Sequence, residues 1–144
     1  MTRQEVSARR ADFPVLRPVP TRWADNDTYG HVNNVVYYAY FDTAVNGWLM
    51  EATGTDIRLL PAIGLVAETG CRFLAPLSFP DLVVAGLRLR RLGTSSVAYD
   101  IGLFRGEEDA PAGIGHFVHV YVDSATRRPV PVPALIRDAL AALA

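Results

Sequence analysis

The chain has 144 residues, half of them hydrophobic, and a formal charge of −1. That is one domain's worth of sequence, long enough to bury a core without staples, and its near-neutral charge excludes the basic stripe of a nucleic-acid binder and any partner that is a charged membrane surface. No apolar run reaches the roughly 18 residues of a membrane span and the N-terminal stretch has no leader-like apolar core, so a cytoplasmic protein is expected.

In chain order, Met1 to Val15 is polar and without a clear period, and reads as a loose N-terminal arm. Leu16 to Trp23 alternates despite Pro18 and Pro20, which a sheet tolerates at an edge or at a strand start. A polar loop, Ala24 to Asn33, leads into a long helix from about Asn34 to Ala52. Val35, Val36, Tyr37, Tyr40, Phe41, Ala44, Val45, Trp48 and Leu49 carry bulk on most of its circumference, the pattern of a buried helix. Gly54 stands where a left-handed residue closes a helix.

After a connector ending near Ala62, Ile63 to Leu77 reads as extended. Glu68 and Arg72 share a face there, either as an exposed pair or with Glu68 turned to a pocket. Cys71, the only cysteine, reads as a small core residue and agrees with a reducing compartment. Asp81 to Leu92 places Val83, Ala85, Leu87 and Leu89 on one face and Arg88 and Arg90 on the other, a half-buried antiparallel strand. Gly93-Thr94-Ser95 makes a hairpin link to Ser96–Arg105, where Val97, Tyr99, Ile101 and Leu103 alternate with Ala98, Asp100 and Gly102. An exposed turn leads to a final strand, Gly113 to Asp123. His116 and His119 lie there at odd spacing, so they point to opposite faces and cannot share a metal. The plain reading of each is a structural histidine, with a subunit interface as the alternative. Residues 133–144 read as a short amphipathic C-terminal helix.

Chemistry is concentrated in Asp25-Asn26-Asp27-Thr28-Tyr29-Gly30-His31-Val32-Asn33-Asn34. Loops hold such residues for turns and caps alone. What sets this one apart is the buried helix that follows. Asn33 or Asn34 is its natural N-cap, and its unsatisfied first-turn amides would floor a pocket facing the loop.

The pattern Asp25-x-Asp27-x-x-Gly30-His31-Val32-Asn33-Asn34-x-x-Tyr37, preceded by Arg22-Trp23, resembles the hot-dog acyl-CoA thioesterases of the 4-hydroxybenzoyl-CoA thioesterase type. Phe73-Leu74-Ala75-Pro76-Leu77 with Pro80-Asp81-Leu82, and Val120-Tyr121-Val122-Asp123 with Thr126 to Pro131, which resemble the family's last strand and closing turn, extend the likeness over nearly the whole chain from about Val15 onward. The residues alone give an α+β domain with a sheet edge to hide. The resemblance implies a hot-dog fold, a curved antiparallel sheet of about five strands wrapped around the central helix, with subunits pairing through sheet edges as a homodimer or homotetramer and the acyl-CoA site between them.

A thioester hydrolase needs an attacking group and an oxyanion donor. Asp27 can serve as general base or as nucleophile, and the backbone amide of Asn34 as donor. The resemblance aligns both with those roles. His31 is read as a third catalytic residue, sharing proton transfer or binding the leaving group. Gly30 admits the thioester to the backbone, and with Asn33 and Tyr37 forms the expected substrate-binding set. Asp25 and Asn33 also hold the loop by local hydrogen bonds, and Tyr37 packs. Trp23, Tyr40 and Trp48 read as core. The expected substrate is a thioester of coenzyme A or acyl carrier protein, with no metal and no cofactor. All 14 basic residues are arginine, and arginine forks are candidates for the coenzyme's phosphates. A non-catalytic acyl-CoA-binding or scaffold protein and a hot-dog dehydratase are the alternatives. The second fits less well, because His31 precedes the helix.

Overall fold

The computed structural model describes residues 7–144. Five strands form one antiparallel sheet: β1 (Val15–Pro20), β2 (Ala62–Phe73), β3 (Leu82–Leu92), β4 (Ser96–Arg105) and β5 (Gly113–Asp123). They are ordered β1-β3-β4-β5-β2. The long helix α1 (Asn34–Thr53) lies between β1 and β2 in sequence, and a short helix α2 (Ala134–Ala139) follows β5. The fold is the expected α+β hot-dog arrangement.

The alternation read from the sequence sets the inner face. Val97, Tyr99, Ile101 and Leu103 of β4 are fully buried, as are Ala85 and Leu87 of β3. They meet Tyr37, Tyr40, Phe41, Ala44, Val45, Trp48 and Leu49, the buried stripe of α1. These recur every three or four residues, so they fall on one side of the helix. Within a single chain the helix is therefore not buried all round. Asn34, Ala39, Asp42 and Thr43 are exposed, and Val35 is 67% exposed. Gly54 ends α1 in the left-handed conformation, with φ of 63°.

Three expectations are corrected. The N-terminal arm is not loose where it is described: Ala8 and Phe13 are buried with Phe104 and Ile114 on the outer face of the sheet. Met1 to Val6 lie outside the described residues. Phe13 sits on Gly86 and Gly102, which are register partners. A Cβ on either would come within 2.6 to 2.9 Å of its ring, so two glycines on neighbouring strands make the seat. The strand expected to reach Leu77 ends at Phe73, because the amides of Leu74 and Ala75 both turn to the carbonyl of Ala112. Trp23 is 79% exposed, its ring edge-on to Phe79, whereas Tyr40 and Trp48 are core.

The two sheet edges differ. β1 carries Pro18 and Pro20, which blunt it. β2 runs for 12 residues without proline, and Leu65, Val66 and Phe73 are exposed on it.

Candidate active site

The loop before α1 is held at its base by Asp25, which is 1% exposed. Its Oδ2 accepts from the Arg22 amide at 2.8 Å and from the Tyr40 hydroxyl at 2.7 Å, and its Oδ1 accepts from Arg22 Nε at 3.1 Å. Burial pushes the carboxyl up, but the bonds from Tyr40 and Arg22 outweigh it and hold the group below the ordinary carboxylate value. Beyond Asp25 the chain makes a small hairpin: the Asp27 amide donates to the His31 carbonyl at 2.9 Å, and the Gly30 amide to the Asp27 carbonyl at 3.1 Å. Gly30 has φ of +79°, a conformation glycine adopts without steric cost. The hairpin is clamped to the segment after β2. Val32 N–H donates to the Leu77 carbonyl, Ser78 Oγ to the Gly30 carbonyl and the Phe79 amide to Asn26 Oδ1.

This clamping leaves an open cleft of about 560 Å³. Asp27, Tyr29, His31, Val32, Asn34 and Tyr37 line one wall, and Phe73 to Pro76 line the other. The Tyr29 amide donates to Asp27 Oδ1 at 2.8 Å, which fixes the carboxylate; among the described residues no donor reaches Oδ2. Tyr37 packs edge-on to Phe73, and burial pushes its hydroxyl pKa up.

The amides at the mouth of α1 can be accounted for one by one. Asn33 N–H donates to the Asp25 carbonyl, Val35 N–H to the Asn33 side chain at 3.0 Å, and Val36 N–H to the Asn33 carbonyl. Among the described residues nothing accepts from Asn34 N–H. The cap thus uses the neighbouring donors and leaves one, on a residue that lines the cleft with Asp27.

Residues 21–140 match the family model of the thioesterase-like superfamily. The chain belongs to that superfamily. The PA5185 protein of Pseudomonas aeruginosa PAO1 is 49% identical, with 94% of this chain and 95% of that one covered and a TM-score of 0.91. A thioesterase of Thermus thermophilus, complexed with coenzyme A and zinc, is 30% identical over 92% and 95% of the two chains, with a TM-score of 0.76. A 1,4-dihydroxy-2-naphthoyl-CoA thioesterase from Synechocystis, 15% identical with a TM-score of 0.79 over 88% and 94% of the two chains, shares the fold. No curated protein matches the chain.

As a member of that superfamily the chain is a thioester hydrolase, and the structure places the expected residues as follows. Asp27, His31, Asn34 and Tyr37 are brought together. Gly30 opens instead on an adjacent hollow with Trp23, Asn26, Asp27 and Thr28. Asn33 spends its side-chain oxygen on the helix cap. Glu68 is on an exposed stretch of β2, with its Oε1 3.4 Å from His116 Nε2, and is not among the residues lining the cleft. Tyr29 and the Phe73–Pro76 wall also line the cleft, although nothing in their residue types marks them as site residues. The family likeness of Phe73-Leu74-Ala75-Pro76 was the available signal for the latter. Among the described residues no three His, Cys, Asp or Glu side chains are grouped so as to hold a metal ion.

Proposed function

We propose that this thioesterase cleaves its substrate in the cleft between Asp27 and the mouth of α1. The thioester carbonyl oxygen takes the N–H of Asn34, where the positive end of the helix dipole adds to the hydrogen bond. The Asp27 carboxylate, aligned by the Tyr29 amide, either removes a proton from the attacking water or attacks the carbonyl carbon itself. In the first case the tetrahedral intermediate collapses directly to acid and thiol. In the second, an aspartyl anhydride forms with loss of thiolate and is then hydrolysed. His31, in the same cleft, supplies a proton to the departing sulfur or binds it. Tyr37 shapes the approach, while Gly30 turns the loop and Asn33 caps the helix behind the reacting groups. The observation that carries this reading is the one uncommitted first-turn amide, Asn34 N–H, beside Asp27.

The family and the coenzyme A complex of the Thermus relative support coenzyme A as the carrier, with acyl carrier protein the second candidate. The open β2 edge supports assembly as a homodimer, or a homotetramer built from dimers, with the cleft completed at the subunit boundary. Among the described residues no helix is long and apolar enough to cross a membrane, and the cytoplasm is the proposed location.

Thiol release from a panel of thioesters, from acetyl through palmitoyl to aromatic acyl groups on coenzyme A, tests the assignment. Release from at least one is expected. Binding of acyl-CoA with no release from any would leave the non-catalytic binding protein.

A further inference from the structure

The Tyr29 amide fixes the Asp27 carboxylate from inside its own hairpin, and Tyr40 holds the chain only at Asp25, before the hairpin begins. Where the hairpin itself stands is set from elsewhere, by one short segment, residues 77–79. The Leu77 carbonyl accepts from the Val32 amide at 2.7 Å, the Phe79 amide donates to Asn26 Oδ1 at 2.9 Å, and the Ser78 hydroxyl donates to the Gly30 carbonyl at 2.7 Å. Asn26 and Val32 form the bridge at the base of the hairpin. Leu77 and Phe79 therefore hold the base, and Ser78 holds the tip. Among the described residues, the Ser78 bond is the only hydrogen bond between residues 27–31 and the rest of the chain.

The anchoring segment is well fixed. Leu77 is fully buried. The Asp81 amide donates to the Ser78 carbonyl at 2.8 Å and the Ser78 amide to Asp81 Oδ2 at 2.9 Å, which closes a turn, and the Thr21 hydroxyl donates to the Asp81 carbonyl at 2.9 Å just past β1. The hairpin tip is the opposite case. Gly30 has no side chain to pack and is the residue type with the widest backbone freedom, so its place depends on an outside bond.

Asn26 couples this anchor to Asp27. Its backbone is extended, with φ of −74° and ψ of 140°, so successive side chains leave on opposite sides. Asn26 held against Phe79 sends the Asp27 side chain away from that segment, and Asp27 is found in the cleft wall. Asn26 Nδ2 also donates to Ser78 Oγ at 3.4 Å, which ties the two anchors together.

We propose that Ser78 and Asn26 are positioning residues for hydrolysis: they set the Asp27–His31 hairpin against the mouth of α1. Neither lines the cleft, so they act through Asp27 and His31 and not on the substrate. The inference rests on the hydrolytic reading above.

Steady-state kinetics of the intact protein, on the thioester of the panel turned over fastest, makes the test. Ser78→Ala is expected to lower kcat by about 10- to 100-fold with KM unchanged, because the reacting groups are misplaced but the binding walls are kept. Ser78→Thr keeps the hydroxyl and is expected to restore the rate. In an Asp27→Asn background Ser78→Ala is expected to cost nothing further, since residues that act as a unit are not additive. Hydrogen exchange gives a readout apart from activity: in Ser78→Ala the Asp27 amide should exchange about tenfold faster or more, with the amides of β4 unchanged. A Ser78→Ala enzyme at the parent's kcat beside a disabled Asp27→Asn would overturn the positioning role alone. So would an equal loss from Ser78→Ala in both backgrounds, a Ser78→Thr enzyme as slow as Ser78→Ala, or unchanged exchange at Asp27. An Asp27→Asn enzyme as fast as the parent would overturn the hydrolytic reading, and this one with it. Should Ser78→Ala not fold, Asn26→Ala is read in the same way.

Discussion

The Tyr40 hydroxyl donates to Asp25 Oδ2 across 2.7 Å, joining the buried stripe of α1 to the base of the loop that carries Asp27. The bond is to a buried carboxylate, the kind worth more than an ordinary hydrogen bond. Tyr40→Phe removes the donor and keeps the ring. Chemical denaturation is expected to show a loss of about 1.5 to 3 kcal/mol, and kcat is expected to fall with it, because the loop loses its anchor to the helix.

Asn34 permits an unusual test of the amide at the helix mouth. It occupies the first helical position, where proline is well tolerated, and Asn33 before it has φ of −59° and ψ of 138°, which suits a residue preceding proline. Asn34→Pro therefore deletes the N–H with little damage to the helix, whereas Asn34→Ala keeps the N–H and deletes only the side chain. Asn34→Pro is expected to lower kcat by about 100- to 1,000-fold, and Asn34→Ala to stay near the parent. Steady-state kinetics on both, with circular dichroism to confirm α1, makes the check.

Much of this was legible in the sequence, for reasons that differ from place to place. β4 read correctly because Val97, Tyr99, Ile101 and Leu103 alternate without interruption, and the loop read correctly because Asp27, Gly30 and Asn33 each have a local role. Phe13 was missed because its partners, Gly86 and Gly102, are more than 70 residues away, and no local period records a contact of that kind. β2 was extended too far because Leu77 is fully buried and apolar like a strand residue, although it belongs to the clamp on the loop. The bulky circumference of α1 overstated its burial, since one sheet covers only one side. The Phe73–Pro76 wall forms only when β2 has been folded back beside the helix start.

The contact of Phe13 with the outer face of the sheet carries its own consequence. Phe13→Ala removes a buried ring from above two glycines that cannot collapse to fill the space. A loss of about 3 to 5 kcal/mol in denaturant unfolding is expected. Acyl-CoA hydrolysis by the protein that remains folded should be unchanged, because the contact lies on the face opposite α1.

His119 makes stability depend on pH. Its folded pKa is lowered from 6.5 to about 4 by burial, so below pH 6.5 the unfolded chain takes up a proton that the folded chain refuses. Stability is complete above that value and falls as the pH drops from about 6.5 towards 4, by a total on the order of 3 kcal/mol. Urea unfolding at stepped pH values should show this slope in the parent, and His119→Phe should remove it.

The most direct measurement is the hydrolysis rate of Asp27→Asn beside that of the parent on the thioester the panel shows to be turned over fastest. The substitution keeps the side chain's size and removes its capacity as base or nucleophile. A fall in kcat of about 100- to 10,000-fold with the fold intact is expected. An Asp27→Asn enzyme that turns over at the parent's rate would contradict the assignment of Asp27 as the group that drives attack on the carbonyl carbon.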